Sequence, residues 1–174
     1  MDTLFAIHAR HSCRAFSRRP VPEHELGQIL RAGQQAPIAG AMYSNMQLTA
    51  IHDRRLIDTM TARYQKLTAN LDARPFYDAP TLIVIATNSY IAGGIGLANA
   101  GTVAQTMMLA ATSLGISSIL LTSWVRVLRD EADLIAQLLL ERTLVPVAAV
   151  ALGYAEGEKT GGPTARSMTV KHVY

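Results

Sequence analysis

The longest uncharged stretch of this sequence sets the tightest limit on its fold. From Ala79 to Val125, 47 consecutive residues contain no Asp, Glu, Lys, Arg or His. A membrane-spanning helix needs about 20 predominantly apolar residues, whereas this stretch is interrupted by Asn88, Asn99, Gln105 and five glycines between positions 93 and 115. We therefore interpret it as a strand, a helix and a second strand that are buried on most sides, with part of the helix in a subunit interface. Insertion into a membrane is the alternative.

Apolar periodicity and cap residues predict an alternation of helices and strands over most of the chain. The predicted elements are helix 2–10, a helix between Pro22 and Pro37, strand 46–52, a helix from Asp53 that stops at Pro75, strand 81–87, helix 97–114, strand 116–121, helix 130–141 and strand 145–152. In the first helix, Leu4, Phe5 and Ile7 are expected on the apolar side. The order predicts one layered domain over residues 1–174, with helices on both sides of a sheet. No Gly-x-Gly-x-x-Gly follows a strand, so a Rossmann site is not predicted.

Positive charge is concentrated at the start of the chain. The formal net charge is +3, and Arg10, Arg14, Arg18 and Arg19 all lie in the first 19 residues. On a helical or turning backbone Arg10 and Arg14, four residues apart, point the same way and suit a phosphate or another delocalised anion, with the Ser12 hydroxyl nearby. Two alternatives remain: a solvated basic helix end, and a nucleic-acid surface, which the 6% aromatic content disfavours.

Cysteine and histidine usage predicts neither a disulfide nor a metal site. Cys13 is the one cysteine, and the five histidines have no metal-ligand spacing with a carboxylate or cysteine. No apolar segment of signal-peptide length precedes the basic residues, so a cytoplasmic protein is expected.

Several short motifs follow one another in a defined order. They are Arg10-His11-Ser12-Cys13-Arg14-Ala15-Phe16 followed by Val21-Pro22, Ala36-Pro37, Asn45-Met46-Gln47, Phe76-Tyr77-Asp78-Ala79-Pro80, Leu114-Gly115-Ile116 and Leu152-Gly153-Tyr154. Over nearly the whole chain they resemble the nitroreductase family of flavin mononucleotide (FMN) enzymes. The resemblance implies an α+β fold, a three-layer α-β-α sandwich around a mostly antiparallel sheet. It also implies a homodimer, with an extended C-terminal arm over residues 154–174 that packs on the partner subunit.

Carried over residue by residue, the resemblance implies an FMN site and no catalytic side chain. The site would include Arg10, His11, Ser12, Arg14, Pro37, Ile38, Ala39, Asn45, Thr122, Ser123 and Arg166. Arg10 and Ser12 would contact the phosphate or the ribityl chain. Arg14 would lie by the flavin N1 and C2 carbonyl, where a fixed positive charge favours the reduced flavin.

The remaining implied contacts surround the flavin ring and the phosphate. The Pro37-Ile38-Ala39 loop would come from the partner subunit with Asn45 nearby, although this chain has Ile38 in place of the usual Ser and about four additional residues before Asn45. Thr122 and Ser123 would face the flavin N5 side, and Arg166 would clamp the phosphate. For the Pro37-Ile38-Ala39 loop and Asn45, the alternative is a plain helix-to-strand connection. For Thr122 and Ser123 it is an exposed turn after a strand, and for Arg166 it is a solvated residue of the arm.

The function implied is an FMN-dependent oxidoreductase. It would take a hydride from NADH or NADPH and pass it through the flavin to an electron-poor acceptor, such as a nitro compound or a quinone, in a ping-pong cycle. One alternative is an FMN-binding module for storage, sensing or partner-dependent redox, which the short chain favours. Another is a nucleic-acid or anion binder that uses the basic N-terminus.

Overall fold

A four-stranded antiparallel sheet organises the part of the chain that the computed structural model describes, residues 2–88, 94–157 and 168–173. The strands are β1 (Met46–Ile51), β2 (Thr81–Asn88), β3 (Ser117–Leu121) and β4 (Leu144–Gly153). Their order is β1-β2-β4-β3, and each pairing is antiparallel. β1 and β3 are therefore opposite edges of this sheet. The Ala79–Val125 stretch supplies β2, the long helix and β3.

Helices cover both faces of the sheet and confirm the expected three-layer α+β architecture. They are α1 (Thr3–Ala9), α2 (Glu23–Gln34), α3 (Arg54–Thr68), α4 (Ile95–Ser113), α5 (Ser123–Leu128) and α6 (Ala132–Ala136). The apolar residues of α2 and α4 pack on one face, and those of α3, α5 and α6 pack on the other. β2 lies in the middle, so its side chains of both parities are fully buried, as the continuous apolar run from Leu82 to Ile85 predicts.

Two helix predictions require correction. α3 begins after Asp53, whose side chain accepts a hydrogen bond from the Arg55 N–H at 2.8 Å. It ends at Thr68, before Pro75, because Ala69 takes a left-handed conformation and its N–H returns to the Gln65 and Lys66 carbonyls. In α1, the predicted apolar side is exposed instead of buried: Leu4, Phe5 and Ile7 are 65%, 58% and 46% exposed, and Ala6 is the buried residue.

The predicted helix over residues 130–141 is also wrong, since α6 covers only Ala132–Ala136. The carbonyl oxygens of Leu138 and Leu139 accept hydrogen bonds from the Thr49 hydroxyl at 3.0 Å and the Gln47 amide at 2.8 Å. Leu139 has φ of 52° and turns the chain there. Side chains of β1 thus donate hydrogen bonds to two carbonyl groups that, in a longer helix, would accept hydrogen bonds from N–H groups of the same helix.

The outer face of α4 carries no charge and is left exposed by the described residues. Asn99, Val103 and Met107 are buried against the body of the protein. Ala98, Gly101, Thr102 and Gln105, at positions i, i+3, i+4 and i+7, are exposed. We call these four residues the outer α4 face. No helix in the described ranges has the length and apolar character needed to cross a membrane.

Candidate functional site

The basic segment between α1 and α2 runs extended along the outer edge of β3. Arg10, the C-cap of α1, already has extended backbone angles of φ −62° and ψ 124°. Ser12 pairs with Ser118 in a parallel bridge, and the Cys13 N–H donates to the Ser118 carbonyl at 3.0 Å. The backbone here is extended and not helical. Because alternate residues of an extended chain lie on one side, Arg10, Ser12 and Arg14 are still expected to share a side.

Two of the four arginines in this segment, Arg10 and Arg14, are available to an anion. Arg14 is exposed, with its guanidinium 3.4 Å from the Ser12 carbonyl, and Arg10 is half-buried. Within the described part of the chain, neither forms an ion pair with a carboxylate. Cys13 lies on the opposite side and packs into the core, where it is 5% exposed. A buried thiol of this kind has a packing role.

A small cavity of about 170 Å³ lies beside this segment, lined by His11, Ser118, Thr112 and Gly115 among others. Ser118 is 1% exposed, and its hydroxyl oxygen has no hydrogen-bond partner within the described residues. A buried hydroxyl without a partner is unfavourable by about 1–3 kcal/mol. Ser118 bridges Ser12, which lies between Arg10 and Arg14 in the chain, and an oxygen of a bound phosphate would be a fitting partner for this hydroxyl. Ser118 is not among the site residues predicted from the sequence, although a serine in a largely apolar strand was a usable signal.

Thr122 and Ser123 lie at the other end of β3. A turn was expected here, but Thr122 is the N-cap of helix α5, which begins at Ser123. The Thr122 side chain makes no capping hydrogen bond. Both residues are exposed and line a cavity of about 820 Å³. Since a strand rises about 3.3 Å per residue, Thr122 is about 13 Å from Ser118 along the sheet edge. The phosphate-fitting end and the Thr122 end are therefore separated along one continuous edge.

The Pro37-Ile38-Ala39 loop is held by two polar side chains of α4. The Asn99 side-chain oxygen Oδ1 accepts a hydrogen bond from the Ala39 N–H at 3.0 Å, and the Thr102 hydroxyl donates to the Pro37 carbonyl at 3.0 Å. Asn99 is 4% exposed, and its amide nitrogen has no partner within the described residues. Asn99 is not among the site residues predicted from the sequence, and its signal was an asparagine inside a core helix.

The additional residues before Asn45 form two short 3-10 turns, Ala39–Ala41 and Tyr43–Asn45. The Tyr43 hydroxyl donates to the Ala36 carbonyl at 3.3 Å and ties the second turn back to the end of α2. Asn45 is half-buried and directly precedes β1. The loop is thus an ordered connection that passes over α4.

The structure groups the predicted site residues in two places. The β3 group contains Arg10, His11, Ser12, Arg14, Thr122 and Ser123, and the β1 group contains Pro37, Ile38, Ala39 and Asn45. Three strand spacings, about 14 Å, separate the two edge strands. At the N-terminal end of α4, Leu97 borders the Thr122 cavity and Asn99 holds the Pro37 loop. These two residues are about 200° apart around the helix, so the groups lie on opposite sides of α4.

Arg166 lies outside the described residues. Within the described ranges, no group of three or more His, Cys, Asp or Glu side chains could hold a metal ion.

The model of the nitroreductase family matches residues 7–154 of this chain. Among solved structures, a nitroreductase with bound FMN from Bacteroides fragilis is 26% identical with a TM-score of 0.85, covering 100% of both chains. A nitroreductase with bound FMN from Desulfitobacterium hafniense is also 26% identical, with a TM-score of 0.85 over 99% of this chain and 100% of that one. An FMN- and NADPH-dependent nitroreductase mutant from Sphingopyxis sp. strain HMH is 20% identical, with a TM-score of 0.76 over 95% of each chain. None of the curated proteins matches this chain.

Proposed function

We propose that this chain, which belongs to the nitroreductase family, is an FMN-dependent oxidoreductase that uses NADH or NADPH to reduce an electron-poor acceptor. When bound, FMN supplies the hydride chemistry by accepting a hydride from the donor and delivering it to the acceptor. The protein's task is then to bind the flavin, adjust its charge environment and position the two substrates in turn. No side-chain acid or base is needed.

One observation carries the proposal: Ser118, whose buried hydroxyl has no hydrogen-bond partner within the described residues, bridges Ser12, which stands between two arginines that form no ion pair there. Ser118, Arg10 and Ser12 would hold the FMN phosphate there, and the phosphate would give the Ser118 hydroxyl a hydrogen-bond partner that the described residues do not provide. Arg14 would supply a fixed positive charge next to the flavin ring. Thr122 and Ser123, about 13 Å further along the edge, would border the ring.

The second part of the proposal is a homodimer whose site takes residues from both copies. The β1 group faces away from the β3 group across α4, so one chain does not bring the two together. The outer α4 face between them is exposed, uncharged and rich in small residues, which permits close approach of a second helix. A second copy on this face would bring its Pro37-Ile38-Ala39 loop to the β3 group of the first.

The flavin-binding module without turnover remains the second candidate. It was favoured by the short chain, but this chain covers 100% of the Bacteroides fragilis structure, which contains FMN. The short length is therefore compatible with a complete FMN site, and what separates the candidates is reaction with a donor.

The test is the visible absorbance spectrum of the purified protein, recorded anaerobically before and after addition of NADH or NADPH. We expect a yellow protein with the FMN spectrum that either nucleotide bleaches. A yellow protein that neither nucleotide bleaches would support the binding module. A colourless protein that does not take up added FMN would refute both.

The role of Arg14 has a matched control four residues away. Arg14→Ala is expected to weaken FMN binding and to lower the flavin reduction potential, because the fixed charge beside the ring is lost. Arg18→Ala removes an equally exposed arginine outside the proposed site and should match the wild type. Normal binding and reduction of FMN by Arg14→Ala would remove this residue from the proposal.

A further inference from the structure

The cavity beside Thr122 and Ser123 is large enough for a substrate and has a mostly apolar wall. Its volume is about 820 Å³, within the range of about 300–1,000 Å³ typical of small-molecule sites. Val125, Ile135 and Pro146 contribute apolar surface to it. It opens next to the residues that the proposed function assigns to the flavin ring, and the inference below depends on that proposal.

Two arginines border this apolar wall from the same side. Arg126 is in the last turn of α5 and Arg129 is its C-cap, so the two are three residues apart on neighbouring helix positions. Asp130 also borders the cavity, with a carboxylate oxygen 3.7 Å from the Arg129 Nε. The charges on the lining therefore sum to +1, and Arg126 is the guanidinium that no carboxylate neutralises within the described residues.

Several other arginines of the described residues form ion pairs with carboxylates. Arg63 donates hydrogen bonds to Glu131 and Asp133, and Arg74 pairs with Asp78. Arg126 is exposed and has no such contact within the described part of the chain. An unpaired guanidinium at the mouth of an apolar cavity suits a substrate with a flat, apolar body and an anionic substituent.

We propose that the molecule exchanging hydride at this site carries a phosphate or carboxylate group that Arg126 binds, with Arg129 as a weaker contributor. The anion has two possible sources, the phosphates of the dinucleotide donor or a carboxylate on the acceptor. Arg126 is thus a specificity residue for charged substrates and takes no part in the chemistry. A merely structural role in the last turn of α5 would affect charged and neutral substrates alike.

The test compares charged and neutral members of each substrate class in the FMN-loaded protein. The donor pair is NADPH and the neutral N-benzyl-dihydronicotinamide, with para-nitrobenzamide as acceptor. The acceptor pair is para-nitrobenzoate and para-nitrobenzamide, with the neutral donor. Arg126→Ala is expected to lower kcat/KM for the charged member of at least one pair about tenfold, as loss of a charged hydrogen bond predicts. The neutral member should be unchanged, and Arg126→Lys should recover much of the loss.

Arg55→Ala is the matched control, because Arg55 is exposed near the start of α3 and does not line the cavity. A calorimetric titration with NADP+ and with para-nitrobenzoate provides a readout without turnover, in which Arg126→Ala should raise Kd of the affected ligand about tenfold. Loss confined to the donor pair assigns the anion to the dinucleotide, and loss confined to the acceptor pair assigns it to the acceptor.

Failure of this inference can be told apart from failure of the proposed function. A wild-type protein that turns over, with an Arg126→Ala variant that treats charged and neutral probes equally, overturns the inference alone. A wild-type protein that holds no FMN or reacts with no donor overturns the proposed function and this inference with it.

Discussion

Substitution of Gly153 by alanine is expected to destabilise the fold and, through it, the proposed flavin site. Gly153 ends β4, where it pairs with Ser117. A Cβ atom at this position would lie 2.7 Å from Pro80 Cδ and 3.0 Å from Phe16 Cδ1. Favourable carbon–carbon contacts are about 3.5–4.0 Å, so the methyl group overlaps both rings by about half an ångström or more.

Neither ring can move aside cheaply. Pro80 directly precedes the buried strand β2, and Phe16 is 2% exposed and bridges Ala155. Overpacking of this kind costs about 1–3 kcal/mol, and with two rigid neighbours we expect about 2 kcal/mol. For a chain of this size, about 2–4 °C of melting temperature corresponds to each kcal/mol, which predicts a decrease of about 4–8 °C.

The strain should also reach the basic segment. The Ser17 N–H donates to the Tyr154 carbonyl at 2.8 Å, and the Glu156 N–H donates to the Ala15 carbonyl at 3.0 Å. Displacement of Phe16 therefore pulls on the backbone next to Arg14. We expect weaker binding of FMN, measured by fluorescence titration of the apoprotein, together with the lower melting temperature.

Gly27→Ala is the matched control, since a Cβ there would meet only the Arg31 guanidinium, at 3.4 Å, and alanine favours the helix by about 0.5–1 kcal/mol. A Gly153→Ala protein as stable as the wild type would refute the packing argument. A destabilised variant with unchanged FMN affinity would refute the coupling to the basic segment.

Three further outcomes test the dimer, the loop and the acid response. A Cβ at Gly101 meets no atom of the described residues within 4 Å apart from its own helix backbone, so Gly101→Ala should stabilise the monomer by about 0.5–1 kcal/mol yet weaken the proposed dimer in sedimentation equilibrium. Asn99→Leu should speed amide hydrogen exchange at Ala39 about fivefold, since one hydrogen bond of about 1 kcal/mol is lost. The Arg63 guanidinium lowers the pKa of Asp133 below its ordinary 3.8, so this pair stabilises the fold above about pH 4 and its contribution is lost as acid protonates Asp133. Thermal melts below pH 4 should therefore show a smaller acid-dependent decrease for Arg63→Met than for the wild type.

The strands and the long helix were predictable because their apolar residues follow one period over many positions. Every residue from Leu82 to Ile85 is apolar, so the side chains that point to either face of the sheet are apolar. This is typical of a strand that is covered on both faces. The boundaries of α4 were also predictable to within two residues, since Gly115 follows as a stop signal.

The errors arose where long-range polar contacts decide the backbone. The pattern over residues 130–141 is helical, but Gln47 and Thr49 of β1 take the Leu138 and Leu139 carbonyls. α5 was missed because six residues with two buried anchors, Trp124 and Leu128, are too short a pattern to register. No local signal in the sequence identifies a partner that is some 90 residues away.

Three apolar residues of α1 that were predicted on its apolar side are exposed. Leu4, Phe5 and Ile7 project from α1, which contacts α4, and the outer α4 face is likewise uncharged and open. Gly101 lies in the exposed interior of a helix, where glycine costs about 0.5–1 kcal/mol relative to alanine, and no neighbour among the described residues requires its small size. A second helix at that position would explain the glycine, the missing charge and the exposed apolar residues together. The Gly101→Ala experiment therefore separates a packing requirement between chains from the conformational cost of glycine within one.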